Sequence, residues 1–340
     1  MKTFYLLATI LLLAGCGKSK NTFTLSGTIK GINDSIAWVI IPDTAFSRID
    51  TVSIKDEKFE YQLQTDTTVL LTLMFKNGTQ YDIFADKNTQ TEISGDTVHW
   101  NSLQVKGGTY NDILYPLMDR YRKVNAEQAR DSVKAFIAQN PFSPVSVYLL
   151  DKYYVQTPNP DAKTIQELIK LMSGKLQDDF LIRDIEERLK YSAMADTGRY
   201  ISNFRTKNKD NKYISAYQYN NQYIVVTFWA SWLPDGMKLQ KEIAEAKKDK
   251  KREKTVFLNI AMDTDKKTWN ELMKNDSLPA EQTCDLMGWK SRLVEQFGVN
   301  SIPQIILLNK QRKVVARENR LEPIIAKLDS LLENDKKNKK

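Results

Sequence analysis

The amino-acid sequence predicts an α+β multidomain protein with an N-terminal antiparallel β-sandwich, a helical linker region and a C-terminal α/β domain. Three observations predict this fold class. Short runs of alternating apolar and polar residues come first, helical spacing of apolar residues follows, and apolar strands then alternate with helical patterns. With 340 residues and 41% hydrophobic side chains, the chain can form more than one packed core.

Residues 22–108 have the sequence pattern of a β-sandwich. The stretches TFTLSGTIKG and KFEYQLQ alternate in polarity, while SIAWVIIP and VLLTLMF are apolar enough to be buried strands. Turn sequences such as KDEK and KNG separate about seven strands, which is typical of an antiparallel sandwich. His99, the one histidine of the chain, lies in this region, and we expect a structural role for it rather than general-base catalysis.

Residues 109–198 read as a helical region. Apolar residues between Tyr110 and Tyr121 follow helical spacing, and aromatic stripes at this spacing usually belong to a core. Ser143 precedes a proline and fits an N-cap, as does Asp161 before the next apolar pattern. We therefore expect several short helices between the two larger domains.

Residues 199–333 have the pattern of an α/β domain. YIVVTFWAS and TVFLNIAMD are nearly continuous apolar runs, typical of parallel strands that are covered on both faces. Helical patterns alternate with these runs in MKLQKEIAEAKK, KKTWNELMK and WKSRLVEQF. QIILLNK and KVVARE predict a hairpin before a final helix.

The N-terminal residues have the features of a signal peptide at 1–15. Lys2 precedes an apolar run that ends at Leu13, and this run is too short to span a bilayer stably. The sequence LAGC that ends at Cys16 resembles a bacterial lipobox. That resemblance implies cleavage before Cys16 and lipidation of this cysteine, with residues 16–21 as a short tether. We therefore expect a lipid-anchored protein of the cell envelope, with the outer membrane facing the periplasm as the default location.

Composition excludes several kinds of chemistry. Two cysteines and one histidine are too few for a Cys/His zinc site, and no metal or cofactor is expected. The net charge of +8 is concentrated in KKDKKREK at 247–254 and in the basic tail at 334–340. We expect the first run to lie on a solvated helix face, and it stays open whether the tail attracts an anionic partner. No nucleic-acid-binding pattern is present, so nucleic acid is not an expected partner.

One loop of the α/β domain resembles a known redox loop. The stretch FWASWLPDG at 228–236 is similar to the F-W-A-S/T-W-C-x-x-C sequence of thioredoxin-like proteins of the TlpA/ResA type. A second stretch, FGVNSIPQIILLNKQRKVV, resembles the Y-G-V-x-x-x-P-T segment of the same family. This resemblance covers roughly residues 199–333 and implies a thioredoxin-like domain with a cis peptide bond between Ile302 and Pro303. The order of a β-sandwich, helices and such a domain also resembles envelope lipoproteins of some Gram-negative bacteria.

Both cysteine positions of the loop hold other residues. The degenerate loop reads Trp232, Leu233, Pro234, Asp235 and Gly236. Thiol–disulfide exchange needs an attacking thiolate and a second thiol that resolves the mixed disulfide, and neither leucine nor glycine supplies one. The resemblance therefore implies the fold of the family for this chain, but no catalytic residues. We expect Asp235 to lie in the first turn of the following helix, where a carboxylate is stabilising.

The leading hypothesis is a redox-inactive protein that binds or scaffolds an envelope protein or peptide. Relatives with the cysteine pair hold a partner polypeptide against this surface, so the resemblance implies that the residues around the cis-proline could still bind an extended peptide. We expect Trp229 to pack inside the domain and Trp232 to be the more exposed tryptophan. The predicted binding residues are Trp232, Leu233, Pro234, Ile302 and Pro303.

Two alternatives stay open from the sequence. Once Cys16 is lipidated, Cys284 is the only free thiol, and it could make the protein a thiol-disulfide oxidoreductase or a redox sensor. Cys284 is expected near the end of a short strand. The alternative without redox chemistry is that its thiol is a small, buried side chain with a structural role. In the third interpretation the β-sandwich carries the function and the α/β domain is a structural relic.

Overall fold

The computed structural model describes residues 21–41, 48–208, 210, 212–233, 235–274, 278 and 281–337. The predicted signal peptide, the lipidation site Cys16, the loop residue Pro234 and the end of the basic tail lie outside these residues. The described residues up to Met74 form a compact unit with Gln80–Asp112, while Phe75–Thr79 and the residues from Ile113 onward form a second. Within the described part of the chain, no helix combines the length and apolar character needed to cross a bilayer.

The first unit contains two four-stranded sheets whose strands alternate between buried and more exposed residues. The strands are β1 (Thr22–Lys30), β2 (Ser35–Ile41), β3 (Arg48–Ile54), β4 (Lys58–Gln64), β5 (Val69–Phe75), β6 (Gln80–Ala85), β7 (Gln90–Asp96) and β8 (Gln104–Lys106). Their order is β4-β1-β7-β8 in one sheet and β3-β2-β5-β6 in the other. The predicted strand-rich domain is confirmed, but the expectation of purely antiparallel pairing is wrong, because β1 and β7 run parallel.

Ten α-helices are present in the described part of the chain. They are α1 (Thr109–Tyr121), α2 (Ala126–Gln139), α3 (Pro144–Leu150), α4 (Ala162–Leu171), α5 (Gly174–Gln177), α6 (Phe180–Met194), α7 (Gly236–Lys247), α8 (Lys266–Met273), α9 (Arg292–Phe297) and α10 (Leu321–Lys337). The side chain of Ser143 accepts a hydrogen bond from the amide of Val145, and Asp161 accepts one from the amide of Lys163. Both predicted N-caps are confirmed.

The second unit contains a five-stranded mixed sheet and a separate pair of short strands. The strands of this unit are β9 (Arg205–Lys207), β10 (Tyr213–Ser215), β11 (Ile224–Trp229), β12 (Val256–Ala261), β13 (Glu281–Thr283), β14 (Gln304–Leu308) and β15 (Val314–Glu318). The main sheet has the order β13-β12-β11-β14-β15, with β9 and β10 paired separately. Strand β11 pairs in parallel with β12 and antiparallel with β14, and β14 and β15 form the predicted hairpin.

Both faces of the central strand β11 are covered, which explains its continuous apolar sequence. Val225 belongs to a core cluster with residues of α7 and α10, and Val226 belongs to a second cluster with residues of α9. Every residue of β11 is therefore buried. This burial fixes the end of β11, and with it the start of the loop that leads to α7.

The basic run at 247–254 is not simply a solvated face. The guanidinium of Arg252 in this run is 9% exposed and donates two hydrogen bonds to the carboxylate of Asp329 on α10, at 2.7 and 2.6 Å. This paired geometry is the arrangement that arginine favours for a carboxylate. The expectation from the charge run is therefore wrong for Arg252, whose role is to hold α10 against the end of α7.

Candidate functional site

The candidate site is the loop between β11 and α7. The amide of Leu233 donates to the carbonyl of Ala230 at 3.3 Å, and the amide of Gly236 donates to the carbonyl of Leu233 at 2.9 Å. The first bond closes a tight turn, and the second joins Leu233 to the first residue of α7. Leu233 is half-buried, while Gly236 is buried as the first residue of the helix. The two former cysteine positions thus lie at a helix N-terminus, but neither side chain can carry a negative charge.

The loop is anchored by a buried carboxylate that sequence reasoning missed. Asp263 follows β12 and is 3% exposed. Its carboxylate accepts a hydrogen bond from the amide of Ser231 at 3.1 Å and a second, short one from the Ser231 hydroxyl. Burial raises the pKa of Asp263, although the hydrogen bonds from Ser231 oppose that effect. The available signal was its position, because the residues that follow the parallel strands β11 and β12 meet at one sheet edge.

The predicted cis peptide bond between Ile302 and Pro303 is confirmed. Trp232, Leu233 and Ile302 are each half-buried, and all three pack against the same hydrophobic cluster. Trp229 is fully buried, in agreement with its expected packing role, and Trp232 is the more exposed of the two tryptophans. Three of the predicted binding residues are therefore partly exposed and pack against one hydrophobic cluster, and we refer to them as the loop surface.

Asp235 lies one position earlier than expected. It is the N-cap of α7 rather than a residue of the first turn, and its exposed side chain makes no capping hydrogen bond to the helix backbone. The prediction of a first-turn position is wrong because the helix begins only at Gly236. Asp235 still presents a carboxylate near the positive end of the helix dipole.

Cys284 follows β13, as predicted, but its surroundings disfavour a thiolate. The thiol is half-buried and donates to the backbone carbonyl of Asp263 at 3.4 Å. Burial raises the pKa of Cys284 to about 12, and the neighbouring charges of Asp263 and Asp285 act in the same direction. Since the thiolate is the reactive form, this environment is opposite to that of an activated cysteine.

Cys284 also lies in a different cluster from the loop surface. It packs with Trp229, Ala261 and Trp269, whereas Leu233 and Ile302 pack against the cluster on the α9 side of the sheet. Among the described residues, no group of three histidine, cysteine, aspartate or glutamate side chains is placed to hold a metal ion. The geometry offers an apolar contact surface and no activated nucleophile in the described loop.

Comparisons with known families agree with this architecture. A family model described as thioredoxin-like matches residues 220–314, and a model for a domain of unknown function, DUF4369, matches residues 23–114. The chain therefore combines a DUF4369 domain with a thioredoxin-like domain of the TlpA/ResA type. No protein of curated function matches the chain.

Three of the solved structures to which this chain is similar come from Bacteroides species. A thiol-disulfide oxidoreductase from Bacteroides fragilis is 29% identical over 39% of this chain and 99% of its own, with a TM-score of 0.36. The C-terminal domain of a candidate thiol-disulfide oxidoreductase from Bacteroides thetaiotaomicron is 30% identical over 41% of this chain and 98% of its own, with a TM-score of 0.38. A thioredoxin-like protein from Bacteroides caccae is 17% identical over 62% of this chain and 79% of its own, with a TM-score of 0.43.

Proposed function

We propose that this protein is a redox-inactive, thioredoxin-like lipoprotein of the cell envelope that binds or scaffolds other polypeptides. The observation that carries the proposal is the replacement of both loop cysteines by Leu233 and Gly236 in an otherwise preserved loop and cis-proline site. The fold is that of thiol-disulfide oxidoreductases, but sulfur exchange needs two thiols that this loop lacks. The anchor is a lipid on Cys16, and the location is the outer membrane facing the periplasm.

The loop surface supports peptide binding because it is apolar, partly exposed and fixed in position. Asp263 holds Ser231 through two hydrogen bonds, and a further hydrogen bond joins Leu233 to the first residue of α7. A surface that is already ordered loses little conformational freedom on binding, so more of its contact energy appears as affinity. Trp232 is the side chain best suited to be the anchor, because partly exposed tryptophans dominate many interfaces.

Replacing Trp232 by alanine is expected to weaken peptide binding by at least about tenfold, as is typical for loss of an aromatic anchor. The probe is reduced and carboxymethylated α-lactalbumin, which is permanently unfolded and carries no free thiol. Binding is measured by fluorescence anisotropy of the labelled probe on the full chain. Trp289, which is 48% exposed elsewhere on the same unit, provides the matched control Trp289→Ala. Equal affinity of Trp232→Ala and the control would contradict the proposed binding surface.

A further inference from the structure

A second surface of the thioredoxin-like unit forms a groove of about 1210 Å³. One wall contains β9 and the exposed Tyr213 of β10, and the other contains the start of α8 and the residues that follow β13. Its lining includes none of Trp232, Leu233 and Ile302, so it is separate from the loop surface. The volume exceeds the usual range of small-molecule pockets, about 300–1,000 Å³, which favours a larger ligand.

The apolar lining of the groove has the composition of a protein interface. Tyr200, Tyr213 and Met194 line the groove and are 66%, 54% and 59% exposed. Trp269 and Leu293 also line it and are buried. Tyrosine, tryptophan and methionine are enriched in the cores of interfaces between proteins. A highly charged polymer without apolar groups would leave these side chains without a complementary partner.

The groove also carries positive charge. Four cationic side chains line it, those of Arg205, Lys207, Lys266 and Arg292. In the part of the chain that the structure describes, none of the four forms an ion pair. The groove therefore brings onto one surface four cations that have no ion-pair partner among the described residues.

Two of these cations are held in place by an aromatic ring. The guanidinium carbon of Arg205 lies 3.7 Å from the centre of the Tyr213 ring, and the ammonium of Lys207 lies 5.1 Å from it. A guanidinium stacked on a ring keeps its N–H edges free for a carboxylate. Because stacking orders these side chains before any ligand arrives, less entropy is lost when they bind one.

The acidic residues of the lining offset only part of this charge. Asp285 accepts hydrogen bonds from the amide of Met287 at 2.9 Å and from the hydroxyl of Ser291 at 2.6 Å, which hold its carboxylate within its own turn but leave it charged. Glu295 is the only other carboxylate among the described lining residues. Four cations against two carboxylates leave the groove with an excess of positive charge beside its apolar lining residues.

We propose that this groove binds an extended acidic segment of a partner polypeptide, with carboxylates on Arg205 and Lys207 and apolar side chains over Trp269 and Leu293. An extended chain places successive side chains on opposite sides, so alternating acidic and apolar residues could contact both features. The inference goes beyond the proposed binding at the loop and does not depend on it.

The test uses three fluorescein-labelled peptides of roughly ten residues, about 33 Å when extended, with leucine at alternate positions and Glu, Gln or Lys between them. Anisotropy titrations of the full chain should give binding of the Glu peptide that weakens with salt. The Gln peptide should bind at least about tenfold more weakly and the Lys peptide more weakly still. The double variant Arg205→Glu with Lys207→Glu should lose at least about tenfold in affinity for the Glu peptide and favour the Lys peptide.

The matched control reverses two exposed lysines outside the groove, Lys241→Glu with Lys327→Glu, which changes the net charge equally. Equal losses in both double variants would overturn the proposal, because they would reflect net charge alone. Binding of dextran sulfate without binding of the Glu peptide would also overturn it. Trp232→Ala should leave affinity for the Glu peptide unchanged, so this site and the loop surface can fail independently.

Discussion

Replacement of Arg317 by leucine is expected to lower the free energy of unfolding of the thioredoxin-like unit by about 3–5 kcal/mol. Arg317 lies on β15 and is only 3% exposed. Its guanidinium donates to the backbone carbonyls of Pro158, Ala195, Phe297 and Gly298 at distances of 2.7 to 3.0 Å. Leucine would fill part of the space but leave the buried carbonyls of Ala195 and Phe297 without this donor. The carbonyls of Pro158 and Gly298 keep a second donor.

The electrostatic setting explains how a buried arginine is tolerated. Ala195 is the C-cap of α6 and Gly298 is the C-cap of α9, so the negative ends of two helix dipoles converge on Arg317. Burial lowers the pKa of Arg317 to about 10, which still leaves the group charged at neutral pH. The hydrogen bonds from Arg317 join the helical region to the sheet, so their loss should destabilise the whole unit.

Two further variants separate this account from a general intolerance of substitution. Arg317→Lys keeps the charge but lacks the planar fork that reaches several carbonyls, so an intermediate loss of stability is expected. Arg320→Leu changes an exposed arginine two residues beyond β15 and should have little effect. Urea unfolding followed by circular dichroism measures all three. Equal stability of Arg317→Leu and Arg320→Leu would contradict the assigned role.

Replacement of Gly236 by alanine is expected to destabilise the same unit by about 1–3 kcal/mol. Helix propensity alone predicts the opposite sign, since alanine is favoured over glycine in a helix by about 1 kcal/mol. The geometry decides the sign. A Cβ atom at residue 236 would lie 2.4 Å from the backbone carbonyl oxygen of Ala230, which is closer than these atoms can approach. The loop backbone would have to move.

Gly174 provides the matched control for this prediction. It is also the first residue of a helix, α5, but a Cβ atom there would meet no other atom within 4 Å. Gly174→Ala should therefore be neutral or stabilising, by up to about 1 kcal/mol, while Gly236→Ala is destabilising. If both variants were stabilised alike in thermal unfolding, the close approach at Gly236 would be refuted.

The close approach at Gly236 also affects whether thiol–disulfide exchange could be introduced by restoring the two cysteines. A cysteine at residue 236 carries the same Cβ atom and meets the same carbonyl oxygen of Ala230. Two substitutions at Leu233 and Gly236 would therefore not recreate a relaxed redox loop. The backbone at residue 236 packs too closely against Ala230 to accept a side chain without moving.

The parts of the fold that could be predicted are those determined by residues close together in the sequence. The continuous apolar run of β11 and the capped starts of α3 and α4 were predicted correctly, because apolar patterns and capping residues specify them locally. The cis bond at Ile302–Pro303 followed from the resemblance to thioredoxin-like proteins. The parallel pairing of β1 with β7 was missed, since it joins strands far apart in the sequence.

Buried charged residues were the part of the site that sequence reasoning could not find. The local sequence around Arg317 and Asp263 is equally compatible with an exposed position at the end of a strand. Their burial is visible only from tertiary contacts. The cationic groove was equally hidden, because it brings together residues from separate segments that include β9, α8 and α9. Such sites depend on topology rather than on spacing along the chain.

The central claim is that the thioredoxin-like domain cannot exchange thiols and disulfides, and insulin reduction by dithiothreitol tests it most directly. The purified full chain should precipitate insulin no faster than buffer, and Cys284→Ser should behave identically, while an ordinary thioredoxin serves as the active control. Turnover by the full chain that Cys284→Ser abolishes would contradict the claim and make Cys284 the reactive group.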